Sequence, residues 1–155
     1  RLGRLSVPTL YEQRQLESFS FGRGYLLREG EDLTIVATGL MTARALAAAD
    51  ALEEQGVHAA VIDMPTIKPL DEALLLAQAK KTGAVVTAEE HSVVGGLGGA
   101  VAECLGAGCP VPLRRVGVQD AFGSSGKAEE VLAAYHLTAQ DIARAARDVL
   151  SDKRA

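Results

Sequence analysis

The sequence has no tryptophan, and aromatic residues fill only 4% of its 155 positions while hydrophobic residues fill 48%. Any core must therefore rest on Ala, Val, Leu and Ile, the make-up of layered α/β proteins. Cysteine is nearly absent as well. Cys104 and Cys109 are the two in the chain, too few for a disulfide framework, and no CxxC pair exists for redox or zinc chemistry. That usage suits a reducing cytoplasm, and Cys104, inside a helical pattern, reads as a small packed residue. A basic surplus is missing: 16 Lys and Arg face 20 Asp and Glu, for a net charge of −4 and a pI near 5.4. The basic residues are scattered, which excludes a nucleic-acid surface. No apolar run approaches the roughly 18 residues of a membrane span, and no secretory signal is visible. The chain opens on Arg1 rather than Met, as expected of a piece of something longer.

What is present reads as one α/β domain, a size that supports one proper core. Residues 1 to 21 show no clear period and are broken by Pro8, so they read as the end of something and a linker. Beyond them, "GYLLREG" reads as a short strand and Gly30-Glu31-Asp32 as a turn. "LTIVATG" (33–39), "HAAVIDM" (58–64) and "AVVTAEE" (84–90) are nearly continuous apolar runs, the mark of strands buried on both faces. "VPLRRVGV" (111–118) supplies a further strand. The short turn predicts that the first strand pairs antiparallel with the second.

Helical patterns separate the later strands. Residues 41–55 keep Leu46, Ala49 and Leu52 on one face and stop at Gly56, a natural residue beyond a helix end. "DEALLLAQAKKTG" begins with acids, ends with lysines and closes on Gly83, in the order that complements a helix dipole. A third helix runs through "GGAVAECLGAG", a short one spans 127–135, and the last begins at Thr138 with Asp141 in the acidic position of a capping box. Helical crossovers between buried strands predict a parallel sheet with helices on both faces, the first strand being the antiparallel exception.

The stretch "TAEEHSVVGGLGGAVAE" (87–103) carries the densest chemistry. Gly96-x-Gly98 is half of a dinucleotide fingerprint, but the small residue required three positions later is Val101, and "EEHSV" separates strand from glycines. The bland reading gives Gly95, Gly96 and Gly98 a tight corner against the sheet; the functional one has the following helix N-terminus hold an anion or nucleotide. Glu89, Glu90 and His91 sit where open α/β sheets place ligands and could form an acid–base set. Neighbours on a strand face opposite ways, so at most one of the two acids faces any given pocket. His58 and His136 offer no metal spacing, and Asp63 lacks the acidic cluster and lysine of a phospho-acceptor. Ser124 and Ser125 read as turn and cap, with no GxSxG elbow.

The motifs "TIKPLD" (66–71), "EEHSVVGGLG" (89–98) and "GVQDAFGSSG" (117–126) together resemble the C-terminal domain of transketolases, over about residues 22 to 150. Similar domains occur in deoxyxylulose-phosphate synthases and in the β subunits of 2-oxoacid dehydrogenases; "EEHS" favours transketolase, especially the split type. The resemblance implies a three-layer α/β/α fold with a five-stranded, mostly parallel sheet and one antiparallel strand. It implies a parent enzyme that uses thiamine diphosphate and magnesium to transfer a two-carbon ketol unit between sugar phosphates, with cofactor and metal held by other domains and none by this chain. The expected partners are those domains or subunits, the pyrimidine-binding one among them, and a second copy in a homodimer. Residues 1–21 then correspond to the tail of the pyrimidine-binding domain and a linker, and residues 22–150 to the C-terminal domain. Arg4, in R-x-x-x-P with Pro8, matches an arginine that contacts the substrate phosphate in the full enzyme. On this resemblance Glu89, Glu90 and His91 make interdomain or dimer contacts or line a small pocket, and the isolated domain is catalytically silent. A regulatory module for small anions or nucleotides is the rival reading.

Overall fold

A computed structural model describes residues 5–12 and 19–154. Its sheet has five strands in the order β1-β3-β2-β4-β5: β1 Tyr25–Arg28, β2 Leu33–Ala37, β3 Ala59–Asp63, β4 Val85–Ser92 and β5 Leu113–Val118. The β3–β2–β4–β5 ladder is parallel throughout, and β1 runs antiparallel at one edge. Five helices complete the fold: α1 Leu40–Glu53, α2 Glu72–Thr82, α3 Leu97–Gly108, α4 Ala128–Ala134 and α5 Ala139–Arg154.

The apolar runs form strands because both sheet faces are covered. Along β2, Leu33, Ile35 and Ala37 join one core with Met41, Ala45 and Leu52 of α1 and with Ile142, Ala146 and Val149 of α5. Val36 of the same strand faces the other core, with Leu75 and Ala79 of α2 and with Leu97, Val101 and Leu105 of α3. From the three apolar runs, Leu33, Ile35, Val61, Val85 and Val86 are all fully buried. Burying an aliphatic side chain of this size is worth about 1.5–3 kcal/mol.

The helix ends follow their sequence signals. Asp71 caps α2, its side chain accepting from the Leu74 backbone N–H, and Gly83 ends the helix in the left-handed conformation at φ 67°. The Thr138–Asp141 capping box closes in both directions: the Asp141 carboxylate accepts from the Thr138 N–H at 3.1 Å, and the Thr138 hydroxyl accepts from the Asp141 N–H at 3.2 Å.

Two expectations fail. The predicted pairing of the first two strands is absent; β1 lies beside β3 instead. Both edges of β2 are taken by parallel partners, so the turn after β1 folds across the start of β3. Glu31 and Asp32 both donate backbone N–H to the His58 carbonyl at 3.0 Å, and a Cβ on Gly30 would stand 2.1 Å from the Ala60 nitrogen. Only a residue without a side chain permits that crossing. Secondly, neither Ser124 nor Ser125 caps α4, whose N-cap is Lys127 without a side-chain bond. Residues 119–127 form an exposed irregular loop that bends at Asp120 and Gly126.

Candidate functional site

In a parallel sheet, strand carboxyl ends and helix amino ends meet on one side, where ligands usually bind. Connections leave β2 and β4 in opposite lateral directions, to β3 and to β5, so the crevice between these two strands is the natural place to look. The glycine stretch lies at its lip.

The strand β4 runs further than its apolar pattern suggests, through His91 to Ser92, with an irregularity in its pairing with β5 between Ala88 and Ser92. Alternation sends Glu89 inward, 1% exposed, and Glu90 to the exposed side. The Glu89 carboxylate then meets the first turn of α3. One oxygen accepts from the Leu97 N–H at 2.7 Å and the other from the Gly98 N–H at 2.8 Å. A buried anion is stable there because it satisfies two orphan donors and faces the positive end of the helix dipole. The helix amino end therefore carries an anion already, supplied by its own chain eight residues upstream.

The glycines are the counterpart of this cap. A Cβ on Gly96 would stand 1.9 Å from a Glu89 oxygen, and one on Gly98 would press on Arg115 and on the Thr87 hydroxyl. Gly95, at φ 73° with nothing nearby, makes the turn itself. His91 sits beside the cap without joining it. Its Nδ1 lies 3.9 Å from the nearer Glu89 oxygen and 2.8 Å from the Ser92 carbonyl. Thus Glu89, Gly96, Gly98 and His91 come together, Gly95 forms the rim above them, and Glu90 points the other way. With both Glu89 oxygens engaged by amides and His91 beyond hydrogen-bond reach of them, the group has no ready proton relay.

A second buried acid lies across the same end. Asp63 closes β3 and accepts from the Thr42 hydroxyl at 2.9 Å and from the Tyr11 phenol at 2.5 Å. Burial, then the Asp63 hydrogen bond and charge, push the Tyr11 phenol well above its ordinary 10.0. The Tyr11 ring meets Tyr25 edge-on, and Phe19 stacks on Tyr25. Sequence reasoning missed Tyr11, although a signal existed: four of the six Tyr and Phe residues fall in the first 25 positions. It missed Arg115 too, whose guanidinium donates to the Val93 carbonyl at 3.0 Å and steadies the glycine loop. Arg4 lies outside the described residues.

The other candidates do not converge. His58 and His136 lie in separate loops, their rings near Glu53 at 4.0 Å and Asp141 at 3.5 Å. Cys104 is partly buried, and burial, with the Glu72 charge, pushes its thiol up. Among the described residues no group of three or more His, Cys, Asp and Glu could hold a metal ion. No helix among them is long and apolar enough to cross a membrane.

Thiamine diphosphate would need a free cradle of amides and oxygen ligands for its magnesium. Here the Glu89 carboxylate stands where a phosphate would otherwise meet the amino end of α3. The described residues do not fit that cofactor.

The family model for the transketolase C-terminal domain matches residues 22–142. The 6-deoxy-6-sulfo-D-fructose transketolase subunit SqwH of Clostridium sp. (strain MSTE9) is 52% identical over 149 residues, covering 96% of this chain and 46% of that one. A 1-deoxy-D-xylulose-5-phosphate synthase of Heliobacterium modesticaldum is 43% identical over 144 residues, covering 91% of this chain and 22% of that one. A solved structure described as a split gene transketolase, inactive β4 tetramer, superposes with a TM-score of 0.94 at 51% identity, covering 99% of this chain and 50% of that one. The chain thus spans half or less of the length of these relatives. With the mixed five-stranded sheet, these matches establish that the chain belongs to the transketolase C-terminal domain family.

Proposed function

We propose that this chain is the non-catalytic support of a thiamine diphosphate-dependent transketolase, one that moves a two-carbon ketol unit between sugar phosphates on domains other than this one. The observation that carries the reading is the filled amino end of α3: Glu89 already accepts from the amides that a phosphate would need there. Cofactor and magnesium then sit on the remaining half of the enzyme, which this domain holds in position. Arg4 reaches a substrate phosphate only in that assembly, where a guanidinium fork suits the ligand. A second copy completes a homodimer in the cytoplasm, and the structural neighbour described as an inactive β4 tetramer is consistent with a domain that assembles without turning over. The same support role would serve a deoxyxylulose-phosphate synthase, which one relative is; "EEHS" at 89–92 favours transketolase.

The test is an assay of the purified chain with thiamine diphosphate, magnesium and a ketose–aldose phosphate pair, together with its melting curve in the presence of the cofactor. No turnover and no change in melting are expected. Ketol transfer above the protein-free background, or stabilisation by thiamine diphosphate, would refute the support role.

A further inference from the structure

The two ends of the sheet differ in what they expose. Among the described residues the large exposed hydrophobics are Val7, Phe19, Phe21, Ile67, Val94 and Phe122. Ile67, Val94 and Phe122 occupy the loops that follow the carboxyl ends of β3, β4 and β5. Phe122 is fully exposed and Val94 64% exposed. Phe19 and Phe21 precede Tyr25, which pairs with Asp63 at the carboxyl end of β3. None of the six lies in the loops at the amino ends of the parallel strands. Single exposed apolar residues are ordinary, but a set gathered on one rim marks an interaction surface.

We propose that this carboxyl rim is the docking face for the half of the enzyme that precedes the domain in its longer relatives, an inference that rests on the support role above. The occupant follows from the path of the chain. Described residues ahead of β1 are tied to this end: Tyr11 is bonded to Asp63, the Gly22 N–H donates to the Thr66 hydroxyl at 3.1 Å, and the Gly24 N–H donates to Asp71 at 3.0 Å. Tyr11 thus anchors the chain ahead of it at this end, and Leu5 packs against the core between the sheet and α1 and α5. The Clostridium and split-gene relatives carry about as much chain again as the matched part, enough for a folded body to cover it. Among the described residues the opposite end carries none of the exposed large hydrophobics. There Lys81 pairs with Glu29 and Glu31 at 2.9 and 3.0 Å, and Lys153 donates to the carbonyls of Thr82 and Asp32.

Hydrogen exchange tests this on two proteins: the chain alone, and the chain joined at Arg1 to the preceding half of the Clostridium subunit. In the joined protein the amides of 91–96 and 119–126 should slow by about tenfold or more, while those of 54–58 keep their rates. Val94→Asp with Phe122→Asp should abolish the slowing and split one thermal transition into two; Gln55→Asp, at the amino end, should do neither. If the joined half fails to fold, the intact Clostridium subunit takes its place, its loops that match 91–96 and 119–126 being compared with those of this chain after correction for intrinsic rates. Slowing at the amino end, along the free edge of β5, or nowhere would overturn the proposal. So would slowing of the same loops in the chain alone as its concentration rises, which would assign the rim to a second copy. A joined protein that docks by this face but lacks ketol transfer would break the functional reading and leave the docking face standing.

Discussion

The amino and carboxyl ends of the sheet solve opposite problems. At the amino end the backbone is tightly crossed: Gly30 rides over Ala59 and Ala60, and the Glu31 and Asp32 amides share the His58 carbonyl. Charges there pair with one another, and the α5 terminus supplies Lys153 to two carbonyls. At the carboxyl end the buried acids Asp63 and Glu89 are satisfied from within, Asp63 by Tyr11 and Thr42 and Glu89 by the first turn of α3, while apolar side chains face outward. An open α/β sheet normally offers its carboxyl end to a small ligand. Here Asp63 and the amino end of α3 are occupied from within the chain, and exposed apolar side chains stand beside them.

The sharpest way to break this contrast is at Gly30. Gly30→Ala places a Cβ 2.1 Å from the Ala60 nitrogen and 2.3 Å from the Ala59 carbonyl carbon, so backbone must move, and the expected loss is about 3 kcal/mol or more. Chemical denaturation measures it; a loss under about 0.5 kcal/mol would mean the amino end is loosely built. Next comes the carboxyl-end cap. Glu89→Ala strands the Leu97 and Gly98 amides in a dry site, at a cost of about 2–3 kcal/mol. Glu89→Gln, which keeps an acceptor oxygen but loses the charge facing the helix dipole, should cost roughly half of that. Equal losses for the two variants would show that packing, rather than the anion, holds α3.

A smaller effect tests the bond between Tyr11 and Asp63 at the carboxyl end. Tyr11→Phe removes one donor from Asp63, which keeps Thr42, and should cost about 1–2 kcal/mol. Burial, then Asp63, hold the Tyr11 phenol above its ordinary 10.0, so its contribution is complete below that pH and fades as pH rises through the higher folded value. Ultraviolet titration of the folded chain should therefore find a late-ionising phenol that Tyr11→Phe removes. A titration curve whose late phase survives Tyr11→Phe would detach Tyr11 from Asp63.

Much of this was legible in the residues, for identifiable reasons. Strands covered on both faces must be apolar throughout, so β2, β3 and β4 declared themselves. Asp71, Gly83 and the Thr138–Asp141 pair announced helix ends because capping chemistry is local. The partner of β1 was not legible, since pairing depends on which edges the crossovers leave free. Alternation allowed that one of Glu89 and Glu90 would turn inward, yet what it would meet, a helix start only eight residues on, is a tertiary fact. The glycines looked alike in sequence and do different work: Gly95 turns the chain, and Gly96 yields its side-chain space to Glu89. Ser124 and Ser125, good caps by type, stop short of α4.

The helix α5 joins the two ends, and its capping box gives the contrast its finest test. Its start lies near the carboxyl end, where Arg44 of α1 donates to the Leu137 carbonyl at 3.0 Å, and its last turn reaches the amino end through Lys153. Burial works to raise the Asp141 carboxyl, but the Thr138 hydrogen bonds, with Arg144 and His136, outweigh it and hold the group below its ordinary 3.8. A carboxyl depressed on folding contributes stability that is complete above its unfolded value and is lost as pH falls through the folded one. Asp141→Asn should therefore cost about 1 kcal/mol at neutral pH, with the gap to the parent closing as denaturation is repeated down to about pH 3. Lys153→Ala, removing a cation from the carbonyls at the other end, should cost about 0.5 kcal/mol with no such closure, because its partners are backbone carbonyls rather than carboxylates. A gap for Asp141→Asn that stays constant into acid would show that the carboxylate's charge contributes nothing and that the cap holds by hydrogen-bond geometry alone.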